Sequence, residues 1–372
     1  MQVADVLVVN YAQLRRLQEP LEAVQWNAVV LDEAQAIKNP ESQTAQGARR
    51  LKADHRLALT GTPIENRLLD LWSILAFAMP GVLGNRAQFQ RSFGSAEDPL
   101  SRRRLAARVR PFLLRRTKSQ VAQDLPDRVE EDLSCEMEGV QKRLYDAEFK
   151  KARALLLKVQ TKTDLDQFRF HFLTSLLRLR QICCHPALVD DTQRKAESAK
   201  TDALFDLLEP LIEEGQKVLI FSQFVSMLDL LREEITARGW TTFYIAGHTD
   251  DRSAPVSGFQ SHVGGAVFLI SIKAGGFGLN LTAASYVILY DPWWNPAVEA
   301  QAIDRTHRIG QTQKVIAYRL ITQGSIEEKI RALQQQKKAV AEDILGEERF
   351  SQSLTVDDFR YLFEEPTSDP KP

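Results

Sequence analysis

The sequence feature that most constrains the fold is a series of short, continuous apolar runs of about five residues each. Most of these runs end in a turn that leads into a helical pattern. Strands that are apolar along their whole length are typical of parallel sheets covered by helices on both faces. The runs therefore predict strands at residues 6–9, 28–31, 56–60, 218–221, 242–245, 266–270, 286–290 and 315–320.

The predicted strands form two groups, separated by a strand-poor stretch at about residues 64–214. This distribution predicts an α/β fold with two parallel-sheet lobes and helical material between them. Within the stretch, residues 101–118 are rich in arginine and contain no acidic residue, whereas residues 127–138 are acidic. The acidic segment is interpreted as a linker or an exposed strand. The basic segment could contact DNA phosphates, form a solvated helix face or pair with the acidic segment.

Composition excludes several classes of function. The chain has 48 Lys and Arg against 49 Asp and Glu, which argues against histone-like binding of nucleic acid but leaves room for a local basic stripe. Three cysteines are too few for a disulfide framework, and the adjacent Cys183 and Cys184 lack zinc-ligand spacing, so we expect buried thiols. No apolar run approaches the roughly 18 residues that a membrane-spanning helix needs.

Two candidate sites follow predicted strands of the first lobe. Asp32 and Glu33 come directly after the run at 28–31, and open α/β sheets bind ligands at the carboxyl ends of their strands. One acid there can hold Mg²⁺ and a second can orient an attacking water, although acids are also common at helix N-termini. Thr60, Gly61 and Thr62 follow the next strand, where they suit phosphate sensing or form an ordinary turn.

The second lobe offers two further candidate sites. Gly276 and Gly278 lie in a glycine-rich loop that would let backbone amides approach a phosphate, with Lys273 at its mouth, but such a loop alone is more often only a turn. Gln301, Arg305 and Arg308 have the spacing i, i+4 and i+7, which predicts one polar face of a helix. A solvated helix face is the alternative interpretation.

In their order and spacing, these motifs resemble those of the Swi/Snf-type helicase-like ATPases of helicase superfamily two. Asp32-Glu33-Ala34-Gln35 resembles the family's Asp-Glu-x-His/Gln box. The remaining matches are residues 59–66 to motif III, 217–224 to motif IV, 271–280 to motif V, 291–296 to the Trp-rich motif and 301–311 to motif VI. Residues 111–118 and 179–186 also match stretches typical of this family, and the resemblance extends over about residues 1–360.

The resemblance implies two RecA-like lobes, the first truncated at its N-terminus, with helical insertions between them. It implies ATP and Mg²⁺ as cofactors and double-stranded DNA, along which the family translocates without separating strands, as partner; DNA-bound proteins are possible further partners, and no membrane is involved. The implied domains are residues 1–80 (remainder of lobe 1), 81–126 (helical insertion and end of lobe 1), 127–200 (linker and helical protrusion), 201–345 (lobe 2) and 346–372 (brace and tail).

The resemblance also implies roles for the candidate residues. Asp32 would bind Mg²⁺, Glu33 would activate water, and Arg305 and Arg308 would act as arginine fingers. The nucleotide would further be contacted by Gln301, Gly276 and Gly278. Coupling of nucleotide state to DNA would involve Gln35, Thr60, Gly61, Thr62, Lys273, Trp293 and Trp294, although plain core packing is an equal alternative for the two tryptophans.

Part of the family pattern is missing. No Gly-Lys dipeptide occurs in the chain, so the family's phosphate-binding loop is absent, and only 31 residues precede Asp32. We therefore expect a fragment of a larger ATPase that binds ATP poorly, with an unpaired strand edge and an exposed apolar face on its first lobe. The alternative is a non-catalytic DNA- or protein-binding remnant. Arginine outnumbers lysine 31 to 17, which favours a bacterial cytoplasm over a nucleus.

Overall fold

The structure is a computed structural model that describes residues 5–60, 68–93, 99–114, 116, 125–157, 162–247, 249, 251–275, 279–336 and 355–364. The chain divides into two compact units, Met1–Thr117 and Lys118–Pro372. No helix within these described ranges combines the length and the apolar character that a membrane crossing requires.

The first unit is built around two parallel strands, β1 (Gln25–Leu31) and β2 (Lys52–Ala58), in a register that pairs Gln25 with Lys52 and Leu31 with Ala58. The helices in its described part are α1 (Tyr11–Arg16), α2 (Gln18–Glu22), α3 (Gln43–Arg50), α4 (Leu68–Ala78), α5 (Arg86–Phe93) and α6 (Pro99–Val109), with short 3-10 turns at Ala34–Ile37 and Arg110–Phe112. Two hydrophobic clusters hold this unit together, one under the sheet and one among α4, α5 and α6.

The prediction of a strand at residues 6–9 is wrong. Those residues follow no regular secondary structure, and the side chains of Val6 and Val8 are 77% and 87% exposed. A strand needs a neighbouring strand to receive its backbone hydrogen bonds, and the described part of the first unit offers none beside this segment. Val30 and Leu57, which are adjacent in the β1–β2 register, are also half exposed. The expected exposed apolar face is therefore present.

The second unit contains a six-stranded sheet, with every described pairing parallel and the strand order β3-β8-β7-β4-β6-β5. Its strands are β3 (Arg128–Cys135), β4 (Lys217–Ser222), β5 (Thr242–Ile245), β6 (Ala266–Ser271), β7 (Tyr286–Leu289) and β8 (Val315–Thr322). Every residue of β6 is buried, because hydrophobic clusters cover both faces of the sheet. This is the burial that the continuous apolar runs predicted.

The described part of the second unit also contains helices. They are α7 (Gly139–Leu156), α8 (Lys162–Cys184), α9 (Ala199–Glu213), α10 (Val225–Ala237), α11 (Ser253–Ser261), α12 (Ile272–Gly275), α13 (Pro296–Ile303), α14 (Ile326–Gln336) and α15 (Val356–Phe363). A third cluster, which includes Tyr145, Phe172, Ile330 and Phe359, joins α7, α8, α14 and α15.

The acidic segment at residues 127–138 contains β3, an edge strand of the second sheet. Of the two interpretations of this segment, the exposed strand is therefore confirmed. Its charges are accommodated because Glu130 and Asp132 both accept hydrogen bonds from Arg319 on the adjacent β8. The finer domain boundaries, including the one placed before residue 127, stay predictions.

Candidate functional site

The first candidate centre is the turn that follows β1. Asp32 and Glu33 leave the carboxyl end of the strand, and the Asp32 Oδ1 accepts a hydrogen bond of 3.0 Å from the Glu33 amide. Glu33 has a φ of 50°, and no other non-glycine residue in the described ranges has a positive φ. Such a conformation costs about 1–2 kcal/mol for an L-residue and is often found at functional sites. The Ala34 amide donates to the Leu59 carbonyl at 2.8 Å, which fixes the turn against the end of β2.

A chain of hydrogen bonds joins this turn to the next motif. The Gln35 Nε2 donates to the Glu33 Oε2 at 2.6 Å, and the Thr60 hydroxyl donates to the Gln35 Oε1 at 2.8 Å. One amide side chain therefore links a carboxylate after β1 to a hydroxyl after β2. A displacement of Thr60 would change how the Glu33 carboxylate is held, because Gln35 contacts both.

Tyr11 is a site residue that sequence reasoning missed. Its hydroxyl donates to the Asp32 carbonyl at 2.7 Å and lies 3.5 Å from the Glu33 carbonyl. Partial burial, together with the negative charges of Asp32 and Glu33, raises the pKa of Tyr11 to about 12. The contact spans 21 residues of sequence. No local pattern around Tyr11 could have indicated it, since the contact depends on how α1 packs against the turn.

The donor set after β1 fits a magnesium ion held together with a nucleotide. Mg²⁺ is usually bound through one or two carboxylates plus substrate phosphates, rather than by an all-protein cage. Asp32 and Glu33 present exposed side chains, and the described residues contain no cluster of three metal-ligating side chains. The expectation for Asp32 is compatible with this arrangement but is not tested by it.

Several predicted residues lie outside the described part of the structure. Gly61, Thr62, Gly276 and Gly278 belong to this group, as does the side chain of Lys273. The backbone of Lys273 lies in α12, directly after β6.

The prediction that Gln301, Arg305 and Arg308 share one face of a helix is wrong. Helix α13 ends at Ile303, so Gln301 lies on the helix while both arginines lie in the turns that follow it. The backbone tightens at this point because the amides of Arg305 and Thr306 donate to carbonyls three residues earlier, and the Thr306 hydroxyl also donates to the Ile303 carbonyl. A tightened last turn of this kind is a common way for a helix to end.

The two arginines occupy different environments within the second unit. Arg305 is 8% exposed, and its carbonyl accepts a hydrogen bond of 3.0 Å from the Leu281 amide, whereas Arg308 is exposed. The Gln311 side chain closes the segment by donating to the carbonyls of Thr282 and Ala284. The arginine segment, residues 304–311, is thus held by turn hydrogen bonds to the end of α13 and by tertiary contacts with residues 281–284.

Trp293 and Trp294 are both 5% exposed and belong to two different hydrophobic clusters of the second unit. Both rings therefore pack within the second unit, and their role in coupling nucleotide state to DNA stays a prediction. The Arg180 guanidinium lies 5.0 Å from the centre of the Trp294 ring and donates to the Pro292 carbonyl at 2.8 Å. Arg180 therefore connects α8 to the Trp-rich turn.

The three cysteines are free and buried. Burial raises the pKa of the Cys183 and Cys184 thiols, which keeps them in the unreactive protonated form at neutral pH. The expectation of buried thiols is confirmed.

The structure brings the predicted residues together in two groups. Asp32, Glu33, Gln35 and Thr60 are connected in the first unit, and Gln301, Arg305 and Arg308 lie in one stretch of the second. A parallel-sheet lobe with an acid pair at a strand end, followed by a second parallel-sheet lobe with an arginine segment, defines the class of RecA-like, helicase-type ATPase cores.

Comparison with known proteins identifies the family within that class. Residues 1–188 match the SNF2-related domain, and residues 199–310 match the helicase conserved C-terminal domain. The chain belongs to the SNF2 family of helicase-like ATPases.

Individual relatives extend this result. The chain is 38% identical over 364 residues to an uncharacterized ATP-dependent helicase of Mycoplasma pneumoniae, covering 97% of this chain and 35% of the relative. It is 34% identical over 364 residues to the ISWI chromatin-remodeling complex ATPase ISW1 of Saccharomyces cerevisiae, covering 93% and 32%. The chain thus spans about a third of the length of these relatives.

A solved structure supports the fold. The SWI2/SNF2 ATPase core of Sulfolobus solfataricus in complex with double-stranded DNA is 35% identical to this chain, with a TM-score of 0.55. The match covers 96% of this chain and 76% of the Sulfolobus chain. The prediction of two RecA-like lobes is therefore confirmed.

Proposed function

We propose that this chain is the motor portion of a DNA-dependent ATPase that translocates along double-stranded DNA and remodels nucleoprotein. The hydrogen-bonded chain from Glu33 through Gln35 to Thr60 is the observation that carries the proposal. It connects the carboxylate that would act on water to a second motif at the same sheet edge. Family membership supports ATP hydrolysis, and the DNA-bound Sulfolobus relative supports the choice of DNA.

In the proposed mechanism, the residues that follow β1 take part in the hydrolysis of ATP. Asp32 would hold Mg²⁺, which when bound would neutralise charge on the phosphates, and Glu33 would orient the attacking water and accept its proton. Gln35 keeps the Glu33 carboxylate in place through its hydrogen bond of 2.6 Å. Thr60 acts on Gln35 through its own hydrogen bond, so that a movement of one motif changes how the other is held.

The second unit supplies positive charge in this mechanism. Arg305 and Arg308 stabilise the charge that develops on the γ-phosphate, a role that can be worth about 10³–10⁵ in rate. Gln301 approaches the same phosphate, and the loop with Gly276 and Gly278 contributes backbone amides. Because the carboxylates and the arginines come from different units, turnover is proposed to require residues of both units, which would allow DNA to control it.

Contact with DNA is proposed to involve helix α6 and the residues after it. Arg103, Arg104, Arg108 and Arg110 are exposed, and no acidic residue occurs between positions 101 and 118. Arginine side chains on such a surface bind phosphates without reading base sequence, so binding should weaken steeply as salt increases. DNA-bound proteins are proposed as further partners, and the bacterial nucleoid as the location, in keeping with the bacterial relative.

The chain is proposed to act within a longer protein that supplies the phosphate-binding loop. Three observations support this: the absence of a Gly-Lys dipeptide, the span of about a third of the relatives' length, and the exposed apolar face that includes Val30 and Leu57. The alternative, favoured by the same missing loop, is a non-catalytic DNA- or protein-binding remnant. Without the loop's amides and lysine, the 372-residue chain alone should have little ATPase activity.

The test measures DNA-stimulated ATP hydrolysis by the restored protein, defined as this chain preceded in its reading frame by a segment with a phosphate-binding loop. Glu33→Gln and Arg305→Ala are each expected to abolish turnover. The matched controls Glu209→Gln and Arg143→Ala alter exposed side chains of the second unit and should leave the rate unchanged. Retained turnover in both site variants would refute the assigned roles. Stop codons directly upstream, or an inactive restored protein, would favour the remnant.

A further inference from the structure

The chain enters the second unit at Lys118, and its first described residues there lie against the arginine segment. The His307 Nε2 is 2.8 Å from the Pro126 carbonyl oxygen. Since a carbonyl can only accept, the ring nitrogen donates this hydrogen bond. The Arg128 Nη1 also donates to the Asp304 Oδ1 at 3.3 Å. We name these four residues, Pro126, Arg128, Asp304 and His307, the connector clamp.

The connector clamp holds the arginine segment on both sides of Arg305. Asp304 precedes this arginine directly, and His307 follows it by two positions. Backbone hydrogen bonds tie only the start of the segment to the end of α13, because the amides of residues 304–307 donate to the carbonyls of residues 300–303. The clamp adds two side-chain contacts, made by Asp304 and His307, that help to set the position of Arg305.

The other side of the clamp is firmly attached to the sheet. Arg128 is the first residue of β3 and pairs in register with Val315 of β8. The Val315 amide donates to the Asp127 carbonyl at 3.0 Å. Arg128 also forms an ion pair with Glu130. Residues 126–128 are thus fixed at the sheet edge, at the point where the peptide arriving from the first unit ends.

We propose that Arg128 is a positioning residue for Arg305, and that the connector clamp ties the placement of the catalytic arginine to the peptide joining the two units. The inference rests on the proposed function, because it assigns Arg305 to the reaction. The clamp is formed entirely by residues of the second unit. Loosening it should lower kcat and leave the affinities for nucleotide and DNA unchanged.

A charge-exchange series tests the clamp in the 372-residue chain. Arg128→Asp and Asp304→Arg each place like charges together, whereas the double substitution restores an opposite pair. Amide hydrogen exchange is measured for peptides covering residues 303–311. An ion pair of this exposure is worth about 0.2–1 kcal/mol, so each single variant should exchange roughly 1.4- to 5-fold faster, and the double variant should return toward wild type.

A matched pair elsewhere in the unit controls for general loss of stability. Arg194 and Glu233 also lie 3.3 Å apart and join separate segments, but neither contacts the arginine segment in the described structure. Arg194→Asp and Glu233→Arg should leave exchange in residues 303–311 unchanged. Peptides from β6, which is buried at every position, report whether any variant unfolds the unit as a whole.

The restored protein then tests positioning as distinct from structure. Each single clamp variant should lower kcat for DNA-stimulated hydrolysis several-fold, with KM for ATP and Kd for DNA unchanged, and the double variant should recover it. Unaltered exchange in the single variants, or faster exchange with an unaltered kcat, overturns the proposal while the proposed function stands. Full turnover by Arg305→Ala overturns the catalytic role assigned to Arg305 as well as the clamp proposal, so the two failures are distinguishable.

Discussion

Replacing Lys200 by methionine is expected to destabilise the second unit by about 3–5 kcal/mol. The Lys200 ammonium and the Glu327 carboxylate are both 0% exposed and lie 2.7 Å apart. Burial alone would lower the pKa of Lys200, but the adjacent Glu327 more than offsets this, and the pKa is raised above its usual value. The lysine therefore stays charged, and its removal leaves a buried carboxylate without its counter-ion.

The expected loss in free energy of unfolding follows from the hydrogen bonds that each charged group would retain. Without Lys200, Glu327 would retain a hydrogen bond of 2.9 Å from the Thr322 amide, which cannot replace a full positive charge. Glu327→Gln should destabilise the second unit by a similar amount, because the charged Lys200 would lose its carboxylate partner and keep the neutral Tyr290 carbonyl. Combining the two substitutions removes both charges, so the double variant should be more stable than the sum of the single losses by at least about 2 kcal/mol.

Urea denaturation followed by circular dichroism measures these differences, and hydrogen exchange in β4 and β6 assigns them to the second unit. Lys142→Met is the control, because the Lys142–Asp146 pair is 47% and 44% exposed and should contribute at most about 1 kcal/mol. A loss below about 1 kcal/mol for Lys200→Met, or strict additivity in the double variant, would refute the reasoning.

Two further predictions concern the first unit. In the restored protein, Gln35→Ala should lower kcat about 10- to 100-fold with KM for ATP unchanged, because a hydrogen bond to the charged Glu33 is worth about 1.5–3 kcal/mol. Thr60→Val should lower kcat by less. A change confined to KM would contradict the role of Gln35 in holding Glu33. The raised pKa of Tyr11 implies stability that is complete below pH 10 and lost as pH rises toward 12. Melting curves should show Tyr11→Phe lacking this part of the alkaline loss, and identical pH profiles would contradict it.

The strands of the second unit could be predicted closely from the sequence. The runs at 218–221, 242–245 and 266–270 match β4, β5 and β6 within one residue at each end. A strand buried on both faces must be apolar at every position, so its burial is visible in the local sequence. The acidic edge strand β3 lacks that pattern, and only the interpretation as an exposed strand anticipated it.

The position of the acid pair was also predictable, since chemistry at the end of a parallel strand follows from fold class. The contacts that link that pair to its neighbours could not be predicted from the sequence. Gln35 meets Thr60 across 25 residues and Tyr11 meets Asp32 across 21, and neither contact leaves a periodic signal. The strand predicted at 6–9 failed for the same reason, because a strand exists only where another lies beside it.

By itself, the sequence determined the family, the α/β class, most strands of the second sheet and the residues with suitable chemistry. Only the tertiary structure decided that α13 ends before Arg305 and that Arg128 reaches Asp304 across 176 residues. Periodicity records how each segment is buried, which is a local property of the chain. The end of a helix or the partner of a charge depends on contacts between distant segments, and these form only when the chain folds.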